Sequence, residues 1–156
     1  MSVDLAAVMF RRAVKADAAA VRELTRAVYA KWIPMIGREP MPMAADYEKA
    51  VVEHWVDLVE HDGVLIALIE MIPKSDHLYI ENIAVSESHQ GRGLARRLLE
   101  HAADLARTFQ LAEIRLLTNK AFVSNVSLYT RLGFENYAET PFSGGGTTVY
   151  FRKPVS

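Results

Sequence analysis

The sequence predicts a mixed α/β domain built on an open, mostly antiparallel sheet of about seven strands with helices on both faces. Three observations carry this. Short apolar or alternating runs that suit strands interleave with stretches of helical periodicity. Hairpin-length turns, His61-Asp62-Gly63 and residues 73–76, separate the middle strands and make them antiparallel. One strand, residues 77–85, runs through a glycine turn into a long helix that must cross over to the next strand, so that pair is parallel. With 156 residues, 51% apolar and 24% charged, the chain suits a single domain over residues 1–156.

Each element has a local reason. Residues 8–14 set Met9-Phe10 against Arg11-Arg12 and read as a first strand. Asp17 is placed to cap the helix that follows, where Ala20, Val21, Leu24, Ala27 and Val28 recur at helical spacing. Residues 32–45 carry Pro34, Pro40 and Pro42, which interrupt helical continuity, and Met35, Met41 and Met43, which keep the stretch apolar. Such a loop is either tucked against the core or lines a binding cleft. Residues 46–53 form a second helix, capped near Ala45-Asp46. Residues 54–59 and 64–72 are strands. Beyond the long helix, residues 113–118 form a strand with Ile114 and Leu116 opposed to Arg115 and Leu117. A helix over about residues 122–132 is stopped by Gly133 in the left-handed conformation, with Phe134 as the accompanying apolar contact. Residues 134–140 and 147–153 close the sheet around a mobile turn, Ser143-Gly144-Gly145-Gly146.

Composition narrows the function. A formal net charge of −1 gives no electrostatic case for nucleic acid. The absence of Cys removes disulfides, thiolate metal sites and a cysteine nucleophile, and it suits a reducing cytoplasm. The N-terminus has no basic region followed by an apolar core, so no signal peptide is expected. The longest apolar run, residues 64–72, contains Glu70 and is far too short to span a bilayer. A soluble monomer or homodimer without metal, membrane or nucleic-acid partner is expected.

The informative stretch is residues 77–109. In the strand, Leu78 and Ile80 share one face, yet Ile83 and Val85 fall on the face of Tyr79 and Glu81. A β-bulge near Glu81-Asn82 would produce this switch; so would a strand buried on both faces. After the strand come Gly91 and Gly93, then a helix with Leu94, Leu98, Ala102, Leu105 and Phe109 on one face. Strand, glycine turn and helix together aim backbone N–H groups at an anion. Arg92, Arg96 and Arg97 open the helix against its dipole, which a bound anion would turn into attraction. The competing reading is a solvated basic face, since Arg96 can pair with Glu100. A dinucleotide fingerprint fails because Arg96 occupies the third small position, and no Walker lysine pattern exists.

Gln90-Gly91-Arg92-Gly93-Leu94-Ala95 resembles the Q/R-x-x-G-x-G/A signature of the GNAT N-acyltransferases. Asn125-Val126-Ser127-Leu128-Tyr129, ending in Leu132-Gly133-Phe134, is similar to a tyrosine helix of that family, and the element order matches across nearly the whole chain. The resemblance implies a GNAT-like α/β fold, acetyl-CoA as acyl donor, and transfer of the acetyl group by direct attack to a primary amine of a small molecule or peptide. It places the pyrophosphate on the backbone from Gln90 through Gly91, Arg92, Gly93, Leu94 and Ala95 to Arg96. It places the pantetheine arm along Ile83, Ala84 and Val85, and brings Asn125 to the cofactor. Asn125 read on its own terms is equally an N-cap.

By the same resemblance Tyr129 is the general acid for the thiolate, although a tyrosine at that spacing also reads as core. A backbone N–H near Ile83 or Val85 would serve as oxyanion donor. Glu81 is the first choice of general base, through water if needed, against the alternative of a surface charge. His54 and His77 are further candidates, each equally a hydrogen-bonded strand histidine. Arg38 and Glu39 fall where the family walls its acceptor pocket, and either could read an acceptor charge or be an ordinary loop charge. A different class of function, a non-catalytic acyl-CoA-binding module on the same fold, needs neither Tyr129 nor Glu81.

Overall fold

In a computed structural model, which describes residues 7–156, seven strands form one sheet. The extreme N-terminus, on which the signal-peptide reading rests, lies outside the described residues. In chain order the elements are β1 (Phe10–Arg12), α1 (Ala18–Tyr29), the short α2 (Ile33–Ile36), α3 (Tyr47–Glu53), β2 (Trp55–His61), β3 (Val64–Pro73) and β4 (Leu78–Val85). They continue with α4 (Leu94–Thr108), β5 (Glu113–Asn119), α5 (Val123–Arg131), β6 (Glu135–Pro141) and β7 (Thr147–Pro154). The sheet order is β1-β2-β3-β4-β5-β7-β6, and every pairing is antiparallel except β4–β5. No helix among the described residues is long and apolar enough to cross a membrane.

Two cores sandwich the sheet, as its two apolar faces require. On one side α4 lays Leu94, Leu98, Ala102 and Ala106 over Ile69, Met71, Leu78, Ile80, Ile114 and Phe151, and α5 adds Tyr129. On the other, Val21 of α1 and Tyr47 and Val51 of α3 cover Val56, Leu58, Leu68 and Ala84.

The feature that positions the site is a parting in the sheet. β4 and β5 are paired only at Leu78↔Ile114 and Tyr79↔Arg115, and then they separate. The expected bulge sits at the start of that separation. Glu70 pairs with Asn82 but Met71 pairs with Ile80, so Glu81 is the extra residue. It restores the parity that the sequence breaks: Leu78, Ile80, Ile83 and Val85 all meet the α4 core, while Ala84 turns to the α1/α3 core.

The local signals hold in part. Asp46 caps α3, its Oδ1 accepting from Lys49 N–H at 3.1 Å. Gly133 (φ 92°) ends α5, and the N–H groups of Gly133 and Phe134 reach back to Thr130 and Tyr129 carbonyls at 3.1 and 3.0 Å. Asp17 does not cap α1; its carboxylate accepts from Val14 N–H at 2.7 Å and pairs with Arg11 at 2.8 Å, tightening a 3₁₀ turn that precedes the helix. Residues 32–45 are not an irregular loop. Pro34 lies in the first turn of α2, where its missing N–H costs nothing, and Pro42 lies in a second 3₁₀ turn, Met41–Ala44. Met43 is buried whereas Met35 and Met41 are exposed, so the segment is a strap with one side in the core.

Candidate active site

Where β4 and β5 part, a cleft of about 420 Å³ opens between β4, the glycine turn, the N-terminus of α4 and one face of α5. A second groove of about 530 Å³, between α4 and β7, has neither the glycine turn nor Tyr129 on its walls. The first is therefore the candidate site.

At one end of the cleft lie Gly91 (φ 75°) and Gly93 (φ 85°), both left-handed, and α4 starts immediately after. The first intrahelical bond runs from Arg97 N–H to Gly93 O at 3.0 Å, which leaves the N–H groups of Leu94, Ala95 and Arg96 free at the helix mouth. Such a helix mouth can accept an anion, because it offers both a dipole and open donors. Gln90 is spent on the turn itself: its side-chain Nε2 donates to Val85 O at 2.9 Å and its backbone N–H donates to Glu87 O at 3.3 Å, so neither donor is open to a ligand. The side chain of Leu94 is in the α4 core, that of Arg92 is in solvent, and Arg96 stands exposed at the rim within 3.5 Å of Glu100.

Along the wall, register decides which backbone groups are available. Ser86 N–H donates to Ile66 O at 2.7 Å, and the antiparallel alternation then directs Ala84 and Asn82 to Leu68 and Glu70 of β3. Ile83 and Val85 point their N–H groups the other way, into the opening. This corrects the expectation for Ala84: its backbone is turned to β3 and its side chain is buried in the α1/α3 core.

On the facing wall, Asn125 and Tyr129 stand one turn apart on α5. Phe122 holds the N-cap position of that helix, so Asn125 is not the cap; it lies in the first turn and borders the cleft. The Tyr129 ring packs edge-on against Phe134 with centroids 5.8 Å apart. Burial pushes its phenol above the ordinary tyrosine range. Among the described residues no protein group accepts from its hydroxyl, which borders the cleft.

Glu81 does not border the cleft as Tyr129 does; it stands at the apex of the bulge, exposed on one side. Partial burial, and then the charge of Glu70, raise its carboxyl above the usual glutamate range, with His54 and Lys74 opposing. Glu70 is itself buried and takes His54 Nδ1 at 2.6 Å. His54 is not in a strand but ends α3 beside the bulge. His77 pairs with Asp76 at 2.7 Å just before β4, at the end remote from the glycine turn, and is not brought to the site.

Sequence reasoning missed a buried polar network behind the bulge. Tyr29 Oη donates to Asn82 Oδ1 at 3.1 Å, and Asn82 Nδ2 donates to Thr25 Oγ1 at 3.1 Å and Tyr47 Oη at 3.3 Å. Tyr47 Oη in turn donates to Pro42 O at 2.6 Å, tying the strap to the bulge, and burial pushes its phenol up to about 12. The available signal was Asn82 itself, a polar residue at the parity switch of an otherwise apolar strand.

The sequence model of the Acetyltransferase (GNAT) family matches residues 19–134, from α1 through the end of α5. The chain belongs to the GNAT acetyltransferase family. Among curated relatives, this GNAT chain is 39% identical over 74 residues to a streptothricin acetyltransferase of Escherichia coli, covering 47% of the chain and 42% of that protein. It is 35% identical over 60 residues to a streptothricin acetyltransferase of Streptomyces lavendulae, covering 38% and 32%. The chain thus spans less than half the length of the curated relatives it matches. A GNAT-family structure from Desulfovibrio desulfuricans superposes with a TM-score of 0.79 at 21% identity, over 96% of this chain and all (100%) of that one. A Salmonella typhimurium structure solved with acetyl-CoA gives 0.73 at 20% identity, over 96% and 94%. These likenesses establish the GNAT fold.

Proposed function

We propose that this GNAT chain is an acetyl-CoA-dependent N-acetyltransferase that moves an acetyl group to a primary amine of a small molecule or peptide by direct attack. The observation that carries the reading is the coincidence, in one cleft, of three things: free N–H groups behind Gly91 and Gly93, the unpaired N–H groups of Ile83 and Val85, and the Tyr129 hydroxyl. A chain without Cys suits a route with no acyl-enzyme.

The cleft fits the donor on its own geometry. The glycine turn and the N–H groups of Leu94, Ala95 and Arg96 would hold the pyrophosphate. Ile83 and Val85 would pair with the amides of the pantetheine arm as a neighbouring strand does, and Asn125 would contact it from α5. Acetyl-CoA supplies a thioester. The bond formed joins the amine nitrogen to the acetyl carbon, and the bond broken is carbon to sulfur. A backbone N–H of Ile83 or Val85 stabilises charge on the carbonyl oxygen. Tyr129, held protonated by its burial, gives the departing sulfur its proton. Glu81, with its raised carboxyl at the apex of the bulge, takes the amine proton through intervening water.

The test is thiol release from acetyl-CoA across a broad panel of amines, with the acetylated product identified by mass. The streptothricin and aminoglycoside names carried by relatives put those antibiotics in the panel. Tight CoA binding with no amine accepted would instead support a non-catalytic acyl-CoA-binding module. A location in the cytoplasm belongs to this proposal on the strength of the cysteine-free composition.

A further inference from the structure

We infer that Tyr29 orients the attacking amine, its hydroxyl accepting an N–H of the nucleophile at the reacting nitrogen; the inference rests on the transferase reading. A chain of hydrogen bonds with one permitted direction carries it. Pro42 O is a carbonyl with no proton to give, so at 2.6 Å the Tyr47 hydroxyl must donate to it. With its only proton committed, Tyr47 Oη accepts, and the Asn82 atom 3.3 Å away must be the amide nitrogen rather than the oxygen. That sets Nδ2 toward Tyr47 and Thr25 and leaves Oδ1 toward Tyr29. An amide oxygen only accepts, so the Tyr29 proton points to Asn82 at 3.1 Å. The next protein partner, Ile83 O at 3.5 Å, also only accepts. Among the described residues nothing donates to Tyr29 Oη, and its lone pairs remain for a ligand.

The chain of bonds is held in place. Arg26 Nη2 donates to Glu39 at 2.9 Å and Arg26 Nη1 to Met43 O at 2.7 Å, which fixes the strap carrying Pro42 to α1. Thr25, Tyr47 and Asn82 are all buried. Turning the amide over would set its oxygen against a lone pair of Tyr47 with no bulk water to mediate. Burial pushes the Tyr29 phenol far above the ordinary tyrosine range, so it stays protonated and is not itself a base.

The location is that of the reacting atoms. Tyr29 is the last residue of α1 and borders the cleft. Ile83 turns its C=O as well as its N–H away from β3, so Tyr29 Oη, beside Ile83 O, stands at the opening where the Ile83 N–H would hold the acetyl oxygen. The two cleft tyrosines then have opposite polarity: Tyr29 on α1 accepts, and Tyr129 on α5 has a proton to give. A primary amine brings two N–H groups. As nitrogen bonds to the acetyl carbon and the carbon–sulfur bond breaks, the sulfur takes the Tyr129 proton. One amine proton leaves through water to Glu81, and the other stays on nitrogen as the amide N–H facing Tyr29. A secondary amine loses its single N–H to the base and keeps none. Tyr29 therefore favours primary amines.

The experiment uses two analogues made by alkylating CoA on sulfur with N-methyl- and with N,N-dimethylchloroacetamide. Both place a carbonyl and a nitrogen beyond the sulfur, and only the first has an N–H. Their affinities for wild type and Tyr29→Phe, with CoA itself as a third ligand, are measured calorimetrically, and thermal melts confirm that the variant is folded. The ratio of variant to wild type on each ligand cancels the bulk of the extra methyl. The expected result is a loss of about 3- to 10-fold in Tyr29→Phe for the N-methyl analogue, the scale of one neutral hydrogen bond, with the N,N-dimethyl analogue and CoA bound as in wild type. Equal losses on both analogues, or none, would overturn the assignment. A loss on CoA as well would put the Tyr29 hydroxyl on the donor instead and overturn it too. These probes need no identified acceptor, so a protein that binds CoA but releases thiol with no amine fails the transferase reading while the Tyr29 contact is still measured. If CoA itself does not bind, the donor site and the Tyr29 assignment fall together.

Discussion

Gly91→Ala separates a strained turn from a phosphate cradle, because a matched control exists in the same chain. Gly91 (φ 75°) and Gly63 (φ 76°) have the same left-handed backbone, and a Cβ built on either meets nothing within 4 Å. Each substitution therefore imposes the left-handed penalty on a non-glycine residue, about 1–2 kcal/mol. Reduced freedom of the unfolded chain returns about 0.4–1 kcal/mol of that. Both variants should lose roughly 1 kcal/mol of stability and about 2–4 °C in Tm. Gly63 lies in the β2–β3 turn, away from the cleft. Only at Gly91 does the added methyl occupy the space through which a phosphate approaches the backbone. Loss of one charge-assisted hydrogen bond there weakens CoA binding by about 10- to 100-fold. Paired thermal melts and calorimetric CoA titrations read both effects. If Gly91→Ala binds CoA as tightly as Gly63→Ala does, the pyrophosphate does not lie on this turn.

Three further outcomes follow from the same geometry. Tyr129→Phe should keep CoA affinity and lower kcat by about 100-fold or more, measured at saturating acceptor; an unchanged kcat returns Tyr129 to the core. The acid limb of the kcat/KM profile should lie above the ordinary glutamate range, as the raised Glu81 carboxyl requires, and should vanish in Glu81→Gln; if it persists there, His54→Asn is the next variant. Asp57→Asn should cost about 1–3 kcal/mol at pH 7 by urea unfolding, since the buried carboxylate accepts from Arg12 Nε at 2.6 Å and His101 Nε2 at 2.7 Å. Burial opposes ionisation of Asp57, but those two partners outweigh it and hold its carboxyl below the usual range. Its stabilising contribution is complete above about pH 4 and fades as pH falls through the lower folded value, so the gap between variant and wild type should narrow toward pH 3.

Local pattern made much of the fold legible. The parity switch in residues 77–85 narrowed that strand to a bulge or to burial on both faces, because side-chain alternation has a period of two, and the pairing register with β3 supplies the bulge. Gly133 announced the end of α5 because a left-handed residue is cheapest as glycine. The glycine pair and the helix after it pointed to the left-handed turn and the free N–H groups at the helix mouth. What the sequence withheld depends on distant partners. Ala84 could not be removed from the site until its register with Leu68 was known. Asp17 looked like a cap until Arg11 and Val14 claimed its carboxylate. The prolines of residues 32–45 suggested an irregular loop, yet Pro34 and Pro42 stand in first turns, where helices accept them. Arg38 and Glu39 were indistinguishable until Arg26, thirteen residues from Glu39, chose between them. The strap was offered as either core or cleft wall, and it is both, with Met43 inward and Trp32 at the cleft.

The central claim is that acetyl-CoA lies in the parting between β4 and β5 with its phosphates on the glycine turn. Backbone amide NMR of the protein titrated with CoA tests it most directly. Large shifts are expected at Ile83 and Val85, across Gly91 to Arg96 and at Asn125, with Ala84 and the β2–β3 turn unmoved. Shifts gathered instead in the groove lined by Arg97, Arg107 and Lys153, with the amides from Gly91 to Arg96 unchanged, would contradict it.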